Sequence, residues 1–176
     1  EAGLAHLQPD AHSHVLLCGT DVPALVPHAL EDFLQRTDSG GDIWMPVVHR
    51  DAFARRYPEG RWVYVHLADG QFTGGSQFLV RPRAVLENLP LIEELFSRRK
   101  SQLRMAGRLG LPFLFKLLTR RLRVHELEAR ASLLTGCRCR AVLDCHPELA
   151  FDIDNLADWR YADSLFGQMG SRDAVG

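Results

Sequence analysis

The chain has 176 residues, 46% of them apolar and 24% charged, with a formal net charge of −1. That length suffices for one domain with a sizeable core, and the near-zero charge gives no general electrostatic case for binding nucleic acid or an anionic membrane. No apolar run approaches the roughly 18–20 residues that span a bilayer and no secretory signal is visible, so a cytoplasmic setting with reduced thiols is the expectation.

In chain order, His12 to Cys18 reads as a strand that enters a Gly19-Thr20-Asp21 turn. "PALVPHALEDFLQRT" carries Leu25, Ala29, Leu30, Phe33 and Leu34 at helical spacing. Pro23 suits the entry of that helix and Ser39-Gly40-Gly41 its end. "DIWMPVV" is a second apolar strand, and "DAFARRY" a short helical turn. "RWVYVHLADG" alternates as a strand and stops at the turn signal Asp69-Gly70. "FTGGSQFLVRP" reads as a strand opened by a glycine pair.

From Pro82 to Thr135 nearly every segment has helical character. A strand from Cys137 to Cys145, a short "LAFDID" strand and a closing helix, "LADWRYADSLFG", follow. Strands alternating with helices predict an α/β domain with a largely parallel sheet. The stretch 82–135 reads as a helical insertion on that sheet, within one domain covering 1–176.

Two acidic sites stand out. In open parallel sheets, ligands collect beyond the carboxyl ends of the strands. A strand ending at Gly19-Thr20-Asp21 places a carboxylate there. Such a group suits Mg²⁺, which takes one or two carboxylates together with substrate phosphates. The second site is "FDIDN", which sets Asp152 and Asp154 two residues apart on a short strand, each a possible partner for Asp21 around a metal. For Asp21 and Asp154 alike, the plainer use is to cap the helix that follows.

Other features have plain readings beside functional ones. Cys137, Cys139, Cys145 and His146 are conceivable zinc ligands, but Cys-x-Cys departs from the Cys-x-x-Cys knuckle, and alternation along one strand favours inward packing. His49 and His66 read as core or rim histidines rather than ligands, and His12 and His14, a conceivable metal pair on one strand face, as the start of the first strand, with no matching carboxylate evident. Arg98, Arg99, Lys100, Arg104 and Arg108, then Lys116, Arg120, Arg121 and Arg123, form a basic block. Arg99 and Lys100 could reach substrate phosphates. "GLPFLFKLLTRRLR" could instead lie on a membrane surface or in a partner's groove, and a solvated helical face is the ordinary alternative.

Taken together, the order of "CGTDVPALVPHALEDFL", "FTGGSQFLVRP" and "LAFDIDNLADW" resembles the MobA-like nucleotidyltransferases, with a Rossmann-like GT-A fold. Thr20 stands between the glycine and aspartate that are usually adjacent there, and Asn155 and Leu156 replace a usual Thr-Pro. The resemblance implies Mg²⁺ on Asp21 and Asp154, with Asp152 a further metal candidate. It also implies that Gly74, Gly75 and Ser76 approach the acceptor, and a nucleotidyl group passing from an NTP to a small phosphorylated acceptor with release of pyrophosphate. The Gly-rich phosphate loop that opens the family is unmatched in residues 1–20. The expectation is therefore a C-terminal portion, active in the full-length protein, whose open sheet edge meets a partner chain or a second copy. A glycosyltransferase of the same fold, and a non-catalytic interaction module, are the alternatives.

Overall fold

The computed structural model describes residues 13–60, 62–88 and 110–170. Six strands form one sheet: β1 (Val15–Cys18), β2 (Ile43–His49), β3 (Val65–Leu67), β4 (Gly70–Gly74), β5 (Gln77–Val80) and β6 (Cys139–Val142). The described helices are α1 (Pro27–Gln35), α2 (Arg50–Arg56), α3 (Pro82–Glu87), α4 (Leu111–Leu118), α5 (Val124–Thr135) and α6 (Leu156–Gly170), with a 3₁₀ turn at Pro147–Ala150.

The expectation of a Rossmann-like GT-A fold with a largely parallel sheet is overturned. The sheet is mixed and mostly antiparallel: β1/β5, β5/β2, β2/β4 and β4/β3 all run antiparallel, and β2/β6 runs parallel. The reason lies in the connections. A parallel pair needs a crossover of about a dozen residues or more. Here β3 turns into β4 through Ala68 and Asp69, and β4 passes to β5 through Gly75 and Ser76. The long link from β2 to β6, by contrast, carries helices and permits their parallel pairing.

β4 and β5 lie end to end along β2. Gly74 faces Val47 and Leu79 faces Trp44. Between those pairs, Met45 and Pro46 oppose four residues, Gly75 to Phe78. The two extra residues make a bulge opposite a proline, which has no amide to give the ladder. The Pro46 carbonyl is still used, accepting from Gly75 N at 2.9 Å.

β2 is apolar on both faces because both are covered. Trp44 and Val48 join α1, α2, the 3₁₀ turn and α6 in a core with Phe33, Phe53, Tyr57, Leu149 and Phe151. Val47 faces the other way, with Phe72, Leu67 and Leu122, and Phe113, Leu117 and Leu127 pack against them. The Asp69 carboxylate accepts from Val124 N at 2.7 Å, joining the β3–β4 turn to the start of α5. Gly136, at φ 65°, closes α5 in the left-handed conformation that glycine adopts without steric cost.

Several boundaries differ from expectation. α1 starts at Pro27 rather than near Pro23, because Val22 to Val26 form a turn and extended stretch with Leu25 N bonded to the Val22 carbonyl. "LAFDID" is not a strand: it leaves the 3₁₀ turn as irregular chain. His49 caps α2, its Nδ1 accepting from Asp51 N at 3.2 Å.

Candidate functional site

Three segments meet beyond the carboxyl end of β1, held by main-chain hydrogen bonds. Gly19 N donates to the Ser76 carbonyl at 2.9 Å, Ser76 N to the Leu149 carbonyl at 3.3 Å, and Ile153 N to the Asp21 carbonyl at 2.9 Å. The turn after β1, the β4–β5 bulge and the stretch before α6 therefore form one unit. A Cβ on residue 19 would stand 2.8 Å from Asp21 Oδ1 and 3.1 Å from Ser76 Cβ. Glycine there leaves room for the Asp21 carboxylate to fold back towards the bulge.

Neither Asp21 nor Asp154 serves as a helix cap. Val26 is the N-cap of α1 and makes no side-chain bond. α6 is capped one residue beyond Asp154: Asn155 Oδ1 accepts from Ala157 N at 2.9 Å and Asp158 N at 3.2 Å. Asp158 Oδ2 returns to Asn155 N and Asp154 N, each at 3.1 Å, in a reciprocal box. The carboxylates of Asp21 and Asp154 are thus exposed and free of that task.

Asp152 is half-buried, with Trp62 Nε1 donating to its Oδ1 at 3.2 Å. Burial pushes its carboxyl above the usual range, and the charges of Asp154 and Asp21 push the same way. The Trp62 bond opposes the rise without cancelling it. The three aspartates therefore share one negative field. Among the described residues, no Lys or Arg forms an ion pair with any of them. Trp62 was not singled out in the sequence. Its signal was a tryptophan in an alternating stretch, whose indole N–H needs an acceptor when it packs inward.

The glycine pair divides its roles. Gly74 is exposed and lines an apolar cavity of about 330 Å³ with Met45, Val47, Phe72, Phe78 and Leu127. A Cβ at Gly74 would meet only Met45, at ordinary contact distance. Gly75 is buried, and a Cβ there would stand 2.6 Å from the Leu149 carbonyl oxygen and 2.8 Å from Pro46 Cγ. Its lack of a side chain thus has an internal reason. Beneath it lies Gln77, fully buried, with neither Oε1 nor Nε2 hydrogen-bonded among the described residues. Ser76 is half-buried between the two acidic segments. Arg99 and Lys100 lie outside the described residues.

Among the described residues, no three His, Cys, Asp or Glu side chains stand close enough to chelate an ion by themselves. The aspartates nonetheless fit Mg²⁺ as partial ligands, since that ion takes one or two carboxylates and completes its shell with water and phosphate oxygens. Their all-oxygen donors and unpaired charge match it. The cysteines are in a different setting. Cys137 is buried against Asn88 Nδ2 at 3.3 Å, and Cys145 Sγ donates to the Val142 carbonyl at 3.1 Å. Burial pushes both thiols up, away from the reactive thiolate.

No protein-family model matches the chain, and no curated protein does. Among solved structures, the chain is similar to a hypothetical transferase from Thermus thermophilus, at 31% identity and a TM-score of 0.80. The match covers 89% of this chain and 66% of that one, so the chain spans slightly less than two thirds of the neighbour's length.

Proposed function

We propose that this chain is the metal-side and acceptor-side part of a transferase, and that the group transferred is a nucleoside monophosphate. In this reading an acceptor phosphate oxygen attacks the α-phosphorus of an NTP. The bond to the bridging oxygen breaks and pyrophosphate leaves, so no protein nucleophile is required. The coarser reading, a transferase, rests on the structural likeness to a hypothetical transferase. The observation that carries the finer one is the junction of the Asp21 and Asp152–Asp154 segments through the Ile153–Asp21 hydrogen bond, with three carboxylates on those segments that form no ion pair among the described residues.

Asp21 and Asp154 would hold Mg²⁺, which supplies charge neutralisation for the phosphates. Asp152, anchored by Trp62, adds negative potential behind them. The Gly75-Ser76 bulge fixes the distance between the two acidic segments, because it is bonded to both. Gly74, at the mouth of the apolar cavity, faces the space proposed for the acceptor's body. Catalysis of this kind depends on positioning and electrostatics rather than on covalent chemistry by the protein.

The test is pyrophosphate release by the whole protein, with Mg²⁺, each common NTP and a panel of phosphorylated acceptors. Acceptor-dependent pyrophosphate that disappears with EDTA and in Asp21→Ala supports the reading. Release of a nucleoside diphosphate from a nucleotide sugar would replace it with glycosyl transfer. Neither product, under conditions where the protein is folded, would favour an interaction module.

A further inference from the structure

We infer that the outward face of α4, with the arginines that follow it, is a docking surface for an anionic lipid bilayer. The segment is "LPFLFKLLTRRLR", and it is apolar nearly all round. Its inner face is used: Phe113 and Leu117 pack on the core formed by Val47, Leu67, Phe72 and Leu122. Its outer face is not. Leu111, Phe115 and Leu118, spaced by four and three residues along one side, are 82%, 61% and 82% exposed. A helix apolar on all sides is ordinarily buried on all sides, yet this one has three large side chains in water.

The charge beside that face identifies the occupant. Lys116, the cation within the helix, is tied to Glu126 of α5. Arg120, Arg121 and Arg123 follow, all exposed; the Arg123 main-chain N–H donates to Glu126 Oε2 at 3.0 Å, but none of the three guanidinium groups forms an ion pair among the described residues. Arg120 sits at φ 57°, the position after a helix that glycine usually fills. Its backbone is fixed there by Arg121 N and Leu122 N, both bonded to the Lys116 carbonyl. An exposed apolar face bordered by free cations is the pattern of a helix lying in a bilayer interface, where apolar side chains enter the acyl boundary and arginines meet anionic headgroups. The chain's formal charge of −1 means that this attraction is local to the patch. No described helix is long and apolar enough to cross a membrane, so the contact is peripheral.

The experiment is flotation of the whole chain with phosphatidylcholine vesicles, with and without phosphatidylserine. The wild type should float with the anionic vesicles and remain behind with the neutral ones, and added salt should release it. The double variant Leu111→Glu/Leu118→Glu should lose binding while keeping its circular dichroism spectrum, because both side chains are solvent-facing. Arg120→Glu/Arg121→Glu should weaken binding by at least about 25-fold, from about 5-fold per arginine near an anionic surface. Equal binding to both vesicle types would overturn the charge argument. Failure to bind anionic vesicles, combined with a wild-type dimer that Leu118→Glu dissociates in sedimentation, would assign the face to a second copy instead. Failure to bind with a monomeric wild type would also overturn the inference. All readouts are independent of transferase activity.

Discussion

Ile153 donates its amide proton to the carbonyl oxygen of Asp21 across 2.9 Å, joining segments more than 130 residues apart in sequence. This bond joins the turn that carries Asp21 to the stretch that carries Asp152 and Asp154. Each of its flanking residues then becomes testable by what it does, or does not do, for the fold.

Asp154 and Asn155 separate function from capping. Asn155→Ala should destabilise the protein by about 1 kcal/mol, the usual cost of losing a side-chain N-cap. Asp154→Ala should leave stability nearly unchanged, since its carboxylate holds no helix amide. Urea denaturation of both variants checks the contrast. Equal losses would mean that Asp154 caps α6 after all.

Asp152 should make stability depend on pH. Its carboxyl is raised, by burial first and by its acidic neighbours second. A raised acid favours the fold when protonated, so this contribution is fully present below the unfolded pKa and is lost as pH rises through the folded one. Asp152→Asn keeps an oxygen for Trp62 and removes the charge. It should raise Tm at neutral pH, with the gain shrinking in acid, where the wild-type carboxyl is protonated in both states. A gain that is constant with pH would exclude this origin.

Gly75 should be the intolerant member of the glycine pair. Gly75→Ala places a methyl group 2.6 Å from the Leu149 carbonyl oxygen, a backbone atom that cannot rotate away. The cost should be about 1–3 kcal/mol. Gly74→Ala meets only the flexible end of Met45 and should stay within about 0.5 kcal/mol. Thermal melts of the two variants decide it, and the reverse order would place the close approach at Gly74.

The buried Gln77 side chain has no hydrogen-bond partner among the described residues. Replacing a buried, unsatisfied group by an apolar one of similar shape is neutral or stabilising. Gln77→Met should therefore raise stability by up to about 1 kcal/mol. A clear loss on denaturant titration would show that the amide is hydrogen-bonded in solution.

Much of this was legible in the chain. The apolar run "DIWMPVV" became a strand covered on both faces, and "LADWRYADSLFG" fell within the closing helix. The turn after β1 and the stretch before α6 are joined by the Ile153–Asp21 hydrogen bond, and Ser76 is bonded to Gly19 and Leu149. Strand direction was not legible in alternation, which is the same for parallel and antiparallel neighbours. The short Ala68-Asp69 and Gly75-Ser76 links carried that information, because neither has room for a crossover. Pro46 inside an apolar strand was the sign of the bulge. The cap of α6 was missed by one residue because Asp and Asn are both favoured there, and only Asn155 turns its oxygen towards the Ala157 and Asp158 amides. "LAFDID" failed as a strand because Pro147 starts a 3₁₀ turn that ends at Ala150, leaving too little chain to pair.

The proposed sharing of one divalent ion by Asp21 and Asp154 can be followed by Mn²⁺ titration. Free Mn²⁺ would be followed by electron paramagnetic resonance, with the whole protein and its preferred NTP present. Saturable binding is expected in the wild type, with a similar loss in Asp21→Asn and in Asp154→Asn. The double variant should be no worse than either single one, because both carboxylates serve one site. Wild-type affinity in both single variants, with the fold intact, would contradict it.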